Sequence, residues 1–206
     1  MIVSTAHNFI FVAIPKTGTH AVRQALREHL GPKDIEQVGL FGRRTFPIPE
    51  LAKLRHGHIT LRQLRPFLEP GEFDGMFKFA FVRNPFDRFV SYCAFMTREK
   101  GEFERDPKAV MRHFLANPRE NHILFQPQSG FVADDDGTLL TDYLGRVEDM
   151  QKSYDEICRR IGIPARALDR VNASKRRDYR DYYDRALTAG VAKRYARDLE
   201  LFGYEF

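Results

Sequence analysis

Two short runs of almost unbroken hydrophobicity constrain this chain more than anything else in it. Asn8–Ile14 reads NFIFVAI and Met76–Val82 reads MFKFAFV, and each stops abruptly at a turn that opens a helix. A strand that is apolar on both faces has no side to offer water. It belongs inside a sheet covered twice, the usual setting of parallel β-structure. After the first run, Ala21/Val22, Ala25/Leu26 and Leu30 recur at helical spacing until Gly31-Pro32 stops them. After the second, Asn84 can cap and Pro85 fits the first turn of a helix carrying Phe86, Phe89/Val90, Cys93 and Met96 on one face. Strands alternating with helices predict an α/β sandwich with a mainly parallel central sheet flanked by helices.

The weaker patterns fill in the rest. Gly39–Pro49 reads as loop, His56–Thr60 as a short extended piece, and Leu61–Phe67 and Asp106–Ala116 as helices. A turn is expected at Asp134–Gly137, a strand at Tyr143–Val147, and helices over Asp149–Ile161, Tyr179–Ala189 and Ala189–Phe202. At 206 residues the chain fits a single domain, 1–206, and 43% hydrophobic with 30% charged residues excludes global disorder. No run approaches the roughly 18 apolar residues of a membrane span, and the first ten residues lack a secretory pattern, so a cytoplasmic protein is expected. Cys93 and Cys158 both fall in helical patterns and imply no disulfide framework.

Positive charge concentrates late in the chain. Arg159–Arg197 holds twelve Lys/Arg against four Asp, within a net charge of +5 overall. No DNA- or RNA-binding module accompanies it, so a nucleic-acid partner is not expected, whereas a polyanionic ligand would use the same charge.

The two strand–turn–helix junctions are where an anion would sit. In PKTGT, Gly18 permits a tight turn, amides from Thr17 to His20 can point at one anion, and Lys16 adds a mobile positive charge. The G-x-x-x-x-G-K-[ST] loop of nucleotide triphosphatases is absent, because here the lysine precedes the only glycine. At the second junction Arg83 meets the helix start and Ser91 lies eight residues on, about two turns, so a guanidinium and a hydroxyl can grip a second phosphate. Arg88 is the alternative on that helix, expected instead in structural ion pairs. Two anion cradles at the carboxyl ends of two strands predict a ligand phosphorylated at both ends.

PKTGT after one strand and RNPFDRFVSY after another resemble the 5′-phosphosulfate and 3′-phosphate motifs of sulfotransferases. The stretches DYLGRVEDM and YRDYYDRAL…YARDLELFGYEF are similar to the family 2 pattern. The resemblance implies a P-loop-like three-layer sandwich, a donor, 3′-phosphoadenosine 5′-phosphosulfate (PAPS), and a product, PAP, with no metal. It implies that Lys16, Thr17, Gly18 and Thr19 hold the 5′-phosphosulfate, and Arg83 and Ser91 the 3′-phosphate. His20 stands where such proteins usually carry Thr or Ser, so its implied contact is through the backbone amide. In the basic stretch NASKRRDYRDYY, the candidate phosphate contacts are Lys175, Arg176 and Arg177.

Transfer of a sulfuryl group to a hydroxyl needs a base near the acceptor oxygen and stabilisation of the leaving oxygen. RHGHIT supplies two histidines two residues apart, which share one side of an extended chain. Taken alone the pair can be catalytic, structural or part of a zinc site, although His113, His122 and the cysteines give no clear third ligand. It resembles the His-Gly-His stretch of heparan and uronyl 2-O-sulfotransferases. That resemblance implies His58 as base, His56 as assistant or substrate contact, and Lys16 at the leaving oxygen. An imidazole of ordinary pKa, about 6.5, would make the rate fall as pH drops through that value. The acceptor implied is a carbohydrate hydroxyl, with Arg43, Arg44, Arg62 and Arg65 available to an acidic glycan. The chain lacks the anchor and extra length of the animal Golgi enzymes, which points to a bacterial protein. The competing readings are a small P-loop-type kinase, and a non-catalytic PAP- or polyanion-binding module. The kinase would need a Walker lysine and a magnesium-holding Asp, neither of which is evident.

Overall fold

The computed structural model describes residues 1–39, 44–169 and 177–206. Their five strands are β1 Ile2–Ser4, β2 Phe9–Val12, β3 Ile35–Glu36, β4 Phe77–Val82 and β5 Tyr143–Arg146, in one sheet of order β3-β1-β2-β4-β5. The first helices are α1 Thr19–Arg27, α2 Pro49–Ala52, α3 Leu61–Leu64, α4 Pro70–Gly75, α5 Pro85–Met96 and α6 Glu102–Arg105. They are followed by α7 Pro107–Ala116, α8 Ser129–Val132, α9 Met150–Ile161, α10 Arg185–Arg194 and α11 Ala196–Phe202.

The predicted strands β2, β4 and β5 are parallel, with Val12 opposite Ala80 and Val82 opposite Arg146. Their carboxyl ends therefore finish on one edge, where open α/β sheets bind ligands. The sequence patterns missed β1 and β3, which extend the sheet antiparallel: Ser4 faces Phe9, and Val3 faces Ile35. The chain divides into two compact units, Met1–Val82 with Gly130–Val171, and Arg83–Ser129 with Asn172–Phe206.

In the first unit, Phe9 and Phe11 of β2 and Phe79 and Phe81 of β4 pack with Val22, Ala25 and Leu26 of α1 and with Tyr154, Ile157 and Ile161 of α9. Ile10, Val12, Ala80 and Val82 alternate to the other face and are equally excluded from solvent, so both faces are covered, as unbroken apolar runs require. The one charge within β4, Lys78, sends its Nζ back to the Met76 carbonyl at 2.7 Å and the Phe73 carbonyl at 3.3 Å, with Asp142 at 3.2 Å. A buried ammonium is tolerated there because carbonyls at the end of α4 and a carboxylate replace its water. Arg27 grips the buried Glu36 with two nitrogens, at 2.8 and 2.9 Å, and Arg23 approaches it at 3.2 Å, which anchors α1 to β3.

The second unit is built on rings. Phe86, Phe89 and Tyr92 of α5 pack with Phe114 of α7 and with Phe125, Tyr183 and Tyr195. The two tyrosines bury their hydroxyls by donating to main-chain carbonyls, Tyr183 to Phe86 at 2.8 Å and Tyr195 to Phe125 at 3.0 Å. Arg88 is buried among them and donates to the carbonyls of Gln126 (2.9 Å) and Leu124 (3.3 Å); burial lowers its pKa, against the upward pull of Asp198.

Three boundaries differ from expectation. The first helix ends at Arg27, short of Leu30, because His29 and Leu30 close only tight three-residue turns. His56–Thr60 is a bent loop rather than an extended piece. The tail does not break at Ala189: a 3-10 turn at Tyr179–Tyr182 precedes α10, which runs through Ala189 to Arg194. Asp184 sets that start by accepting from the Leu187 amide. Among the described residues no helix is long and apolar enough to cross a membrane.

Candidate active site

Beyond β2 the chain does not simply turn; it coils. Lys16 has φ of 68° and Gly18 has φ of 71°, two left-handed positions separated by one residue. Such alternation rolls successive amides toward one side, making a concavity suited to an anion. Glycine occupies it freely, whereas a lysine there carries strain of order 1–3 kcal/mol, a feature that gathers at functional sites. Thr17 is fully buried, and its hydroxyl donates to the Ile14 carbonyl at 2.9 Å. Its side chain thus braces the turn. A side chain at position 18 would also strike Met150, whose Cε lies 2.5 Å from where a Cβ would be. Gly18 supplies no side-chain cap to α1, so the helix presents its positive end, with the partly exposed Thr19 and His20 in its first turn.

The histidine loop reaches the root of that turn. His58 Nδ1 lies 2.7 Å from the carbonyl oxygen of Ala13, the residue after β2. A carbonyl only accepts, so Nδ1 carries the proton and Nε2 keeps its lone pair. Burial is the main influence on this imidazole and pulls its pKa to about 3, against the upward pull of the Ala13 bond. The ordinary value expected from sequence is corrected accordingly: His58 is neutral across the physiological range. His56 has its ring centroid 6.0 Å from that of His58, and burial lowers its pKa too. Its Nδ1 is buried with no hydrogen-bond partner among the described residues.

Between them, Gly57 is a packing requirement. A Cβ there would lie 2.1 Å from the Gln37 carbonyl oxygen, so the loop backbone rests directly on the chain leaving β3. Gln37 also ties the loop with its side chain: Nε2 donates to the carbonyls of Leu51 (2.6 Å) and His56 (3.0 Å), and Oε1 accepts from Phe46 at 3.1 Å.

In the second unit Arg83 begins immediately after β4. Its guanidinium is held by Asp87 one helical turn on, with Nε and one terminal nitrogen each 2.7 Å from the carboxylate. Gln128 binds its main chain twice, accepting from the Arg83 amide at 2.9 Å and donating to the Arg83 carbonyl at 2.8 Å. Asn84 caps α5 as predicted, accepting from the Phe86 amide at 3.0 Å, and Ser91 is buried two turns along that helix.

Residues 1–205 match the protein family described as the sulfotransferase family. The chain belongs to that family. In fold, this sulfotransferase is similar to the crystal structure of a sulfotransferase from Alicyclobacillus acidocaldarius, at 18% identity and a TM-score of 0.47, over 97% of this chain and 96% of that one. No curated protein matches it.

The first unit of the sulfotransferase therefore gathers Lys16, Thr17, Gly18, Thr19, His20, His56 and His58, while the second holds Arg83 and Ser91. Arg177 is exposed and lies over the Tyr182 ring at 5.7 Å; Lys175, Arg176 and Arg43 fall outside the described residues. Arg44 approaches Glu36 at 3.6 Å, Arg65 approaches Asp134 at 3.7 Å, and Arg62 pairs with Asp135. Among the described residues no group of three or more His, Cys, Asp or Glu could hold a metal ion. Sequence reasoning missed Gln37, Asp87, Gln128 and Met150. Only Asp87 left a signal, standing in the first turn of a predicted helix and four residues after Arg83.

Proposed function

We propose that this sulfotransferase moves the sulfuryl group of PAPS to a carbohydrate hydroxyl by in-line displacement, with His58 as general base, and that 1–206 form a single catalytic domain. The observation that carries this reading is the Ala13 carbonyl. It fixes the His58 tautomer at the root of the left-handed turn, so a neutral base and an anion-binding turn share one backbone anchor.

The donor supplies a sulfuryl group bound through a bridging oxygen to a stable leaving nucleotide. In this reading the Lys16 ammonium and the amides of Thr17, Gly18, Thr19 and His20 receive the 5′-phosphosulfate and the charge that develops on the bridging oxygen. Arg83 and Ser91 receive the 3′-phosphate, with Arg177, Lys175 and Arg176 flanking the nucleotide. His58 Nε2 takes the acceptor proton as the acceptor oxygen bonds to sulfur and the bond from sulfur to the bridging oxygen breaks. His56 contacts the acceptor. An imidazole held near pKa 3 is a weak base, but a negatively charged donor beside it favours the imidazolium and raises that value during the reaction. The donor set asks for no metal.

General-base help contributes about 10²–10⁴-fold. The test is a screen of carbohydrate acceptors with labelled PAPS. Turnover by the wild type, lost about 100-fold or more in His58→Asn with PAP binding retained, is the expected result. PAP binding with no transfer to any acceptor would identify a silent binding module and end the catalytic reading.

A further inference from the structure

We propose that Gln128 and Asp198 are positioning residues for Arg83, and that through it they set the preference for nucleotides bearing a 3′-phosphate. This rests on the role given to Arg83 above. Gln128 is fully buried and uses both ends of its amide on one residue, at 2.9 Å to the Arg83 N–H and 2.8 Å to the Arg83 carbonyl. It behaves as a neighbouring strand would, continuing the ladder one residue past β4 and holding the peptide groups on either side of the Arg83 Cα.

Gln128 is itself anchored by charge. Asp198 of α11 is fully buried and accepts from two successive amides, Gln128 at 2.7 Å and Ser129 at 2.8 Å, one on each carboxylate oxygen. Burying a carboxylate is costly unless it is hydrogen-bonded, and these charge-assisted bonds are strong ones. A four-residue helix such as α8 gains little by itself from so expensive a cap. Its use lies in where the cap holds Gln128. With Asp87 on the guanidinium and Gln128 on the main chain, Arg83 is fixed at both ends before any ligand arrives, and preorganisation of that kind raises affinity by removing the ordering cost.

The experiment is calorimetric titration of PAP and of AMP, which lacks the 3′-phosphate, into wild type, Gln128→Met and Gln128→Glu. Wild type should prefer PAP. Gln128→Met keeps the length and removes both polar atoms, and should lose PAP affinity by about tenfold while AMP affinity stays within about twofold. The KM for PAPS should rise with kcat little changed. Gln128→Glu retains the acceptor for the Arg83 amide but not the donor to its carbonyl, so it should fall between the two, and it carries the comparison if Gln128→Met does not fold. Asp198→Asn offers fewer acceptors to the same two amides and should shift the PAP-to-AMP ratio in the same direction. Equal losses for PAP and AMP, or an unchanged ratio in the Gln128 variants, would overturn the positioning role. A wild type that does not distinguish PAP from AMP would instead remove the role of Arg83 on which this inference stands.

Discussion

Replacing His58 by asparagine separates its two jobs, because the Asn amide nitrogen can take the place of Nδ1 as donor to the Ala13 carbonyl while Nε2 and the titration disappear. The folded imidazole has a pKa of about 3 and the unfolded one about 6.5, so the unfolded state binds more protons in the window between them. The sign follows: stability attributable to neutral His58 is fully present above about pH 6.5 and is lost progressively as pH falls below it. At pH 5 the full shift corresponds to about 2 kcal/mol, and the partial exposure of the side chain trims this to about 1–2 kcal/mol, or roughly 3–6 °C in melting temperature for a chain this size. The assay is denaturant unfolding of wild type and His58→Asn at pH 7.5, 6.5 and 5. Both proteins share every other histidine, so the difference between the two curves reports on position 58. The gap should move in favour of the variant by about 1–2 kcal/mol as pH falls. Parallel curves would mean that His58 is exposed and ordinary, and would remove the basis for a fixed tautomer. Kinetics give the matching reading: kcat/KM, which reports the free enzyme, shows no acid limb near pH 6.5 from this group in the wild type, and turnover falls by about 100-fold or more in the variant.

The remaining tests are shorter. Gly57→Ala forces a methyl against the Gln37 carbonyl, 2.1 Å from where it would sit, and should cost about 2 kcal/mol or more with a marked fall in turnover; wild-type melting and rate together would show that the loop is loosely packed. Lys16→Gly relieves the left-handed strain, so stability should change between nothing and a gain of about 1 kcal/mol while turnover and PAP affinity fall; a variant as active as wild type would exclude the ammonium from the reaction. Arg83→Ala should weaken PAP by roughly 1.5–3 kcal/mol and leave AMP almost untouched, measured by calorimetry; equal weakening of both would point to a folding role.

What could be read from residue order was whatever depends on local periodicity. β2 and β4 announced themselves because strands buried on both faces have few polar positions, and Asn84-Pro85 marked a helix start by side-chain chemistry alone. β1 and β3 are three and two residues long, too short to hold a period, and exist through pairing with β2 and with each other. The site divides along the same line. PKTGTH and RNPFDRFVSY are contiguous and carry their chemistry in one stretch. Gln128 lies forty-five residues from Arg83 and Asp198 seventy from Gln128, and no local pattern joins them. The His-Gly-His loop was legible in composition but not in conformation, since its bend is imposed by Gln37 and by the close backbone contact at Gly57.

The order of the strands has a consequence for biosynthesis. Phe79 of β4 pairs with Tyr143 of β5, and about sixty residues, the whole Arg83–Ser129 segment of the second unit among them, must leave the ribosome between the two strands. At about 5–20 residues per second the nascent chain spends roughly 3–12 s with one edge of β4 open. That edge reads FKFAFV, an apolar sequence without proline or glycine, the kind that pairs readily with another copy of itself. Lys78 is its only charge, a charge on an open edge opposes such pairing, and its folded partner Asp142 emerges only at the end of that interval.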